Sequence, residues 1–160
     1  MQRNRSLLLT LAAATGLLFT ACDKDNDKPA DGEYLLVAPN TTSQLLDYKM
    51  TVYRISAQGS YRAIADQANT FEGRDMDFTP LAAAQHDSLK NFLFTLPADS
   101  LEASNVRIFG CPGCADGPAW LLGYQKQDGE FLEWQIDYGA VPAYLQSYLE
   151  DLYRVTQQLQ

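Results

Sequence analysis

Two cysteines stand three positions apart in the segment Cys111-Pro112-Gly113-Cys114. This spacing suits thiol–disulfide exchange, in which a first cysteine with a lowered thiol pKa, at the N-terminus of a helix, attacks a disulfide. Here Ala-Asp-Gly-Pro follows Cys114 and disfavours a helix, and no βαβ pattern precedes the pair. We therefore prefer a structural disulfide that closes a small loop, and keep redox catalysis as the alternative.

Other side chains that could do chemistry are sparse. His86 is the only histidine, and together with the cysteine pair it falls short of the four ligands of a structural zinc site, so we predict neither a metal nor a cofactor. His86 is expected on the solvated side of a helix, beside Asp87. A Ser-His-Asp set, a pair of catalytic carboxylates and a glycine-rich phosphate loop cannot be assembled. The sequence favours a protein that is not an enzyme.

The first 22 residues have the organisation of an export signal. Two arginines precede an apolar run from residue 7 to residue 19, which is shorter than the roughly 20 residues of a membrane-spanning helix. The run ends in Phe19-Thr20-Ala21-Cys22, which resembles the lipobox of bacterial lipoproteins. That resemblance implies cleavage before Cys22 and attachment of acyl chains to this cysteine. Two chains already anchor a protein stably to a membrane.

The segment after Cys22 is predicted to be a flexible tether, because residues 23–33 are charged and lack large apolar side chains. Its acid-rich composition is similar to the surface-export signal of Bacteroidota lipoproteins, so either face of the outer membrane is open. A calcium loop is disfavoured, since Lys28 and Tyr34 stand where such a loop has glycine and glutamate. The chain thus divides into a signal peptide (1–21), a lipidated cysteine with its tether (22–33) and one domain (34–160).

Charge and cysteine content narrow the range of partners. Cleavage before Cys22 would remove two of the 12 basic residues and none of the 20 acidic residues, which leaves a net charge of −10. An acidic surface repels nucleic acid and attracts basic proteins. We expect an envelope protein as partner, the membrane as anchor and no nucleic acid. With Cys22 lipidated outside the cytoplasm, the other two cysteines are expected to be oxidised.

The periodicity of apolar residues predicts an α+β domain, in which an antiparallel sheet (a hairpin plus a three-stranded meander) is covered by two helices. The first helix is predicted over residues 80–96, with Thr79 as its N-cap, and the last begins at Pro142. The predicted strands are an edge strand at 34–38, a hairpin of 48–57 with 61–65, and a meander of 106–109, 120–125 and 130–138.

The turn between the last two strands has a predicted register. A three-residue loop at 127–129 pairs Trp134 with Leu122 and Leu132 with Tyr124, which collects the apolar side chains on one face. A two-residue loop would mix the faces. We therefore expect Gly129 to adopt a positive φ angle in a bulged turn.

Aromatic residues are concentrated in the C-terminal half, and most of them match the predicted buried faces. The alternative is a binding surface with an acidic rim, for which the candidates are Trp120, Tyr124 and Tyr144, since Tyr and Trp are favoured at interfaces. Separately, Asp99-Ser100-Leu101 resembles the O-glycosylation sites of Bacteroidota proteins, which makes Ser100 a candidate for modification.

These observations predict a lipid-anchored envelope protein whose disulfide-stapled domain binds a partner, for which a protein is preferred, and does not catalyse a reaction. Two alternatives stay open. One is a thiol–disulfide oxidoreductase that uses Cys111 and Cys114, and the other is a structural component of the envelope.

Overall fold

The computed structural model describes residues 32–41, 49–66, 70–72, 75–112, 114 and 118–159. Seven strands in this part of the chain form one sheet in the order β4-β3-β2-β1-β6-β7-β5, and helices pack on it, so the α+β class is confirmed. The strands are β1 (Tyr34–Thr41), β2 (Lys49–Ser56), β3 (Ser60–Asp66), β4 (Thr79–Pro80), β5 (Ile108–Phe109), β6 (Ala119–Gln125) and β7 (Phe131–Asp137).

Strand β1 lies at the centre of the sheet. It pairs antiparallel with β2 on one side and with β6 on the other. The prediction of an edge strand at 34–38 was therefore wrong. The physical reason is that Leu35, Leu36, Val37 and Ala38 are all buried, which requires cover on both faces and suits an interior strand.

The predicted register of β6 and β7 is confirmed. Leu122 pairs with Trp134 and Tyr124 pairs with Leu132. In the turn, the backbone N–H of Lys126 donates to the carbonyl oxygen of Glu130 at 2.8 Å, and Gly129 has a φ angle of 95°. The alternation of apolar residues and the turn glycine were sufficient to fix this hairpin.

Strand β5 departs from the predicted meander. It pairs in parallel with β7, with Ile108 opposite Gln135 and Phe109 opposite Ile136, and it does not contact β6 as a hairpin partner. Strand β6 already has β1 and β7 as neighbours, so the only place left for β5 in this half of the sheet is the outer edge of β7. Strands β5 and β6 therefore lie on opposite sides of β7.

The helices are α1 (Ala83–Leu89), α2 (Asn91–Thr95), α3 (Ala98–Ala103) and α4 (Ala143–Gln157). The helix predicted over 80–96 thus starts three residues late and is divided at Lys90. Its start is delayed because Thr79 and Pro80 pair with β3 and the backbone N–H of Leu81 donates to Ser60 at 2.8 Å, which keeps this stretch extended. Helix α4 follows its prediction, with Pro142 as N-cap.

The two faces of the sheet are covered differently. The helices cover one face, and their buried residues include Leu89, Leu93, Leu101, Leu145 and Leu152. The other face is covered by the connection between β3 and β4, which brings Phe71, Met76 and Phe78 onto Leu36, Val52 and Leu121.

Candidate functional site

The three aromatic residues predicted as a binding surface do not meet. Trp120 and Tyr124 are on the same face of β6 but four residues apart, which separates them by about 13 Å along the strand. Tyr144 lies in the first turn of α4 and is 41% exposed. The structure places Trp120 with other aromatic residues at one end of the sheet and Tyr124 with charged residues at the opposite end.

Trp120 belongs to a cluster of three rings. Its indole stacks on Tyr138 with ring centroids 5.5 Å apart, and Tyr153 meets both rings edge-on at 6.0 and 6.3 Å. Such offset and edge-to-face contacts hold aromatic rings in fixed orientations. Beside the cluster is a cavity of about 310 Å³, which we call the aromatic groove; its lining residues are Trp120, Tyr138, Val141, Gln146, Leu149, Glu150 and Tyr153.

The groove is built by three elements. Trp120 stands at the start of β6 and Tyr138 directly follows β7, and the pairing of Trp120 with Ile136 brings these two ends together. Asp137 accepts a 2.7 Å hydrogen bond from the backbone N–H of Gly139, which caps the 3₁₀ helix Tyr138–Ala140. Helix α4 supplies the third wall.

The wall from α4 carries the polar groups of the groove. Gln146, Glu150 and Tyr153 lie at spacings of four and three residues, so they share one side of the helix. Neither Gln146 nor Glu150 was among the site residues predicted from the sequence. Their helical spacing with Tyr153 was a usable signal, but the partner rings come from β6 and from the end of β7, which no local pattern connects to α4.

A second, more polar cavity of about 840 Å³ lies at the opposite end of the sheet and is lined by Glu33, Tyr34, Arg54 and Lys126 among others. We call it the polar cleft. The guanidinium of Arg54 sits 3.9 Å from the centroid of the Tyr34 ring. Two ionisable groups of the polar cleft, Glu33 and Lys126, form hydrogen bonds or ion pairs with neighbouring side chains.

Tyr124 and Lys126 each have acidic partners at this end. The hydroxyl of Tyr124 donates to Glu33, and burial first, then this hydrogen bond, raises the pKa of Tyr124 to about 12. The ammonium of Lys126 donates to Glu102 at 2.6 Å and to Glu130 at 2.8 Å, and these bonds, Glu102 first, raise the pKa of Lys126. The two ion pairs of Lys126 tie α3 to the β6–β7 turn.

Cys111 and Cys114 form a disulfide with Cα atoms 5.3 Å apart, within the usual range for such a bond. Both residues are exposed, and the N–H of Cys114 donates to the carbonyl oxygen of Cys111 at 2.9 Å in a turn. Cys111 therefore lies in a turn, separated from strand β5 by Gly110. None of the described helices begins at this cysteine, unlike the helix N-terminus expected for a catalytic pair.

The base of the cysteine segment packs against the groove. Gly110 has a φ angle of 74°, and a Cβ atom at this position would lie 2.5 Å from the Cβ atom of Ala140 and 2.8 Å from that of Asp137. Pro118, at the other end of the segment, accepts a hydrogen bond from the backbone N–H of Tyr138 at 3.3 Å. The disulfide segment and the 3₁₀ helix of the groove are consequently in contact at two points.

One pairing of potential catalytic groups was not foreseen. The hydroxyl of Ser60 and Nδ1 of His86 are 3.0 Å apart, so His86 is half-buried at the β3–α1 contact and is not the solvated histidine that we expected. Ser60 is only 2% exposed. A nucleophile must reach its substrate, so this pair is best explained as a buried contact that holds α1 on the sheet.

Ser100, the candidate for O-glycosylation, is exposed on α3. Cys22 lies outside the described residues. Within the described ranges no helix is long and apolar enough to cross a membrane, and no group of three or more His, Cys, Asp or Glu residues is positioned to hold a metal ion.

The fold and the groove together define an α+β domain with an aromatic groove at one end of a seven-stranded sheet. No protein-family model, curated protein or solved structure matches this chain.

Proposed function

We propose that this chain is a lipoprotein of the bacterial cell envelope, anchored to the outer membrane by acyl chains on Cys22, whose domain binds a partner protein. Anchoring is supported by the lipobox-like sequence that ends at Cys22. Binding is supported by one structural observation above the others, the aromatic groove beside Trp120. The proposal assigns no catalytic activity to the domain.

The groove has the composition of a protein-binding site. Tyrosine and tryptophan are the side chains most enriched among residues that dominate binding energy, because they bury a large rigid area at low entropic cost. Here the rings are already held against one another, so a partner would not have to order them. The volume of about 310 Å³ lies at the lower limit for ligand pockets, which suits one inserted side chain better than a large cofactor.

The position of the groove also fits an anchored binder. The described chain starts at Gly32 and enters the sheet at Tyr34, which pairs with Gln125 at the end of β6. Trp120 stands five residues earlier on β6, about 17 Å away along the strand. A domain held through its N-terminus would therefore carry the groove at the end remote from its attachment.

The anchor is tested by comparing the full-length protein with a Cys22→Ala variant in cells that are fed a labelled fatty acid. We expect the label and membrane association in the unmodified protein, and the loss of both in the variant. A Cys22→Ala protein that stays in the membrane fraction would remove the lipid anchor from the proposal.

Partner binding is tested by placing a photo-crosslinking amino acid at Gln146 in the groove or at Asp75 on the opposite face of the sheet. We expect one protein to be captured from Gln146 and not from Asp75, and to bind again when both proteins are purified. If position 146 captures nothing more specific than position 75, the binding function is wrong.

A thiol–disulfide oxidoreductase remains the second candidate because both cysteines of the pair are exposed to solvent. A mixed disulfide would be trapped by a Cys114→Ala variant if Cys111 attacked other proteins. The same variant should trap none if the pair serves only to close the loop.

A further inference from the structure

We infer that the aromatic groove receives the cationic side chain of an arginine or lysine from a basic segment of the partner protein. The inference builds on the proposed function and names the chemistry of the partner. It depends on three features of the groove: its ring faces, the carboxylate of Glu150 and the charge of the whole protein.

The rings supply the first feature. Cations bind favourably to the faces of tryptophan and tyrosine when they lie within about 6 Å of the ring centroid. Trp120, Tyr138 and Tyr153 all line the cavity. Trp120 is only 4% exposed, whereas Tyr138 and Tyr153 are half-buried, so the two tyrosines supply most of the accessible ring surface. The apolar stem of an arginine or lysine can pack along such surfaces while its charged end stays near polar groups.

The polar groups of α4 supply the second feature. Glu150 is exposed and lines the groove one helical turn after Gln146, so a carboxylate and an amide lie along one wall. A guanidinium or ammonium donates hydrogen bonds to both kinds of oxygen. Arg154, the cation next along α4, forms a 3.0 Å ion pair with Asp151.

The overall charge supplies the third feature. The chain carries 20 acidic and 12 basic residues, two of the basic ones in the predicted signal peptide. An acidic protein raises the local concentration of cationic partners and favours their approach over that of acidic ones. Among the side chains that a partner protein could insert into the groove, a cationic one is therefore favoured over a neutral one.

The inference is tested on the full-length lipoprotein in neutral detergent micelles by NMR, with the indole N–H signals of the two tryptophans as reporters. Trp120 lines the groove, whereas Trp134 is fully buried and serves as an internal reference. The probes are the peptides acetyl-Gly-Arg-Gly-amide, its lysine analogue and its leucine analogue. We expect the two cationic peptides to shift the Trp120 signal in a saturable way and the leucine peptide to shift it much less.

A matched pair of variants separates the groove from general charge attraction. Glu150→Gln removes the carboxylate of the groove, and Asp77→Asn removes the same charge from an exposed residue that does not line the groove. We expect the apparent Kd of the arginine peptide to rise about threefold to fivefold in Glu150→Gln, as for an exposed charge pair, and to stay nearly unchanged in Asp77→Asn. Equal effects of the two variants would overturn the inference.

Two further outcomes would also overturn it. One is an unmoved Trp120 signal at high concentrations of both cationic peptides. The other is a saturable shift of Trp120 with a neutral N-acetylglucosamine disaccharide that Glu150→Gln does not weaken, which would identify a glycan site instead.

Failure of this inference can be told apart from failure of the proposed function. If the Gln146 crosslinker captures a partner but neither cationic peptide shifts the Trp120 signal, the partner function stands and the cationic side chain is wrong. If no partner is captured although the arginine peptide binds through Glu150, the groove chemistry stands and the partner function is wrong.

Discussion

Glu133 accepts a 2.6 Å hydrogen bond from the backbone N–H of Phe71. The same carboxylate oxygen accepts a second bond from the hydroxyl of Thr70 at 3.2 Å. Phe71 is 4% exposed and packs in the core on the face of the sheet that no described helix covers. One carboxylate on β7 thus fixes the connection between β3 and β4 over that face.

Replacing Glu133 by alanine should lower the free energy of unfolding by about 1.5–3 kcal/mol, as expected for hydrogen bonds to a charged acceptor. Urea unfolding, followed by circular dichroism, measures the change. The control is Asp75→Ala, an exposed acid on the same connection, which should change stability by less than about 0.5 kcal/mol. Equal losses in both variants would mean that the carboxylate of Glu133 does not hold Phe71.

Gly123 leaves space for two aromatic rings. A Cβ atom there would lie 2.6 Å from Cζ of Phe131 and 2.8 Å from Cδ2 of Phe71. Gly123→Ala should therefore cost about 1–3 kcal/mol of stability through overpacking. In the background of Phe131→Leu, which removes Cζ, the same substitution should cost clearly less, and a double-mutant cycle of urea unfolding measures this coupling. Purely additive effects would contradict the steric explanation.

The raised pKa of Tyr124 predicts that the domain loses stability at high pH. Burial first, and then the hydrogen bond to Glu33, raises its pKa from the ordinary 10.0 to about 12. The pKa of Tyr124 is higher in the folded state than in the unfolded state. The protonated phenol therefore contributes fully to the free energy of unfolding below about pH 10, and this contribution is lost as the pH rises through about 12. The test is phenolate absorbance during an alkaline titration.

Two variants assign and check that titration. Tyr124→Phe should remove one late-titrating phenol from the absorbance curve. Glu33→Gln should lower the pKa of Tyr124 only in part, because burial remains. A Tyr124 phenol that ionises near pH 10 in the unmodified protein would show that neither the burial of this side chain nor its contact with Glu33 persists in solution.

The cysteine pair should behave as a structural staple. In the chain-entropy account, closing so small a loop stabilises the folded state by about 2 kcal/mol, so the double variant Cys111→Ala/Cys114→Ala should lose about that much on urea unfolding. We expect a reduction potential below about −300 mV, measured by equilibration with dithiol buffers. A potential between about −200 and −120 mV would place the pair among catalytic dithiols and favour the oxidoreductase.

The parts of the fold that could be predicted are those with local signals. The alternation of Leu132, Trp134 and Ile136 defined β7, and the position of Gly129 defined the turn before it. Helix α4 was predictable because its buried residues recur at helical spacing. In each case the pattern lies within one element or two adjacent ones.

Errors arose where distant segments decide the structure. Thr79-Pro80 has the composition of a helix start, but pairing with β3, some 20 residues earlier, holds it extended. Strand β5 pairs in parallel with β7 for the same non-local reason. The central position of β1 had a local signal that was misinterpreted, since four consecutive buried apolar residues are typical of an interior strand.

The candidate site was predictable only in its residue types. Trp120 was one of the three aromatic residues selected from the sequence, but its neighbours Tyr138 and Tyr153 come from the end of β7 and from α4. Tyr124 was grouped with Trp120 because both belong to the aromatic-rich C-terminal half, although four residues of extended chain place them at opposite ends of the sheet. Spatial grouping of the rings needs the sheet order, which sequence patterns did not supply.

The central position of β1 has a mechanical consequence. If the chain is held at Cys22 while a partner pulls on the groove, force enters at Tyr34 and leaves near Trp120, at the two ends of the paired strands β1 and β6. That load acts parallel to the strands. The hydrogen bonds between β1 and β6 are therefore loaded together in shear, and do not break one after another from one end. The geometry would let the domain bear tension between the membrane and its partner.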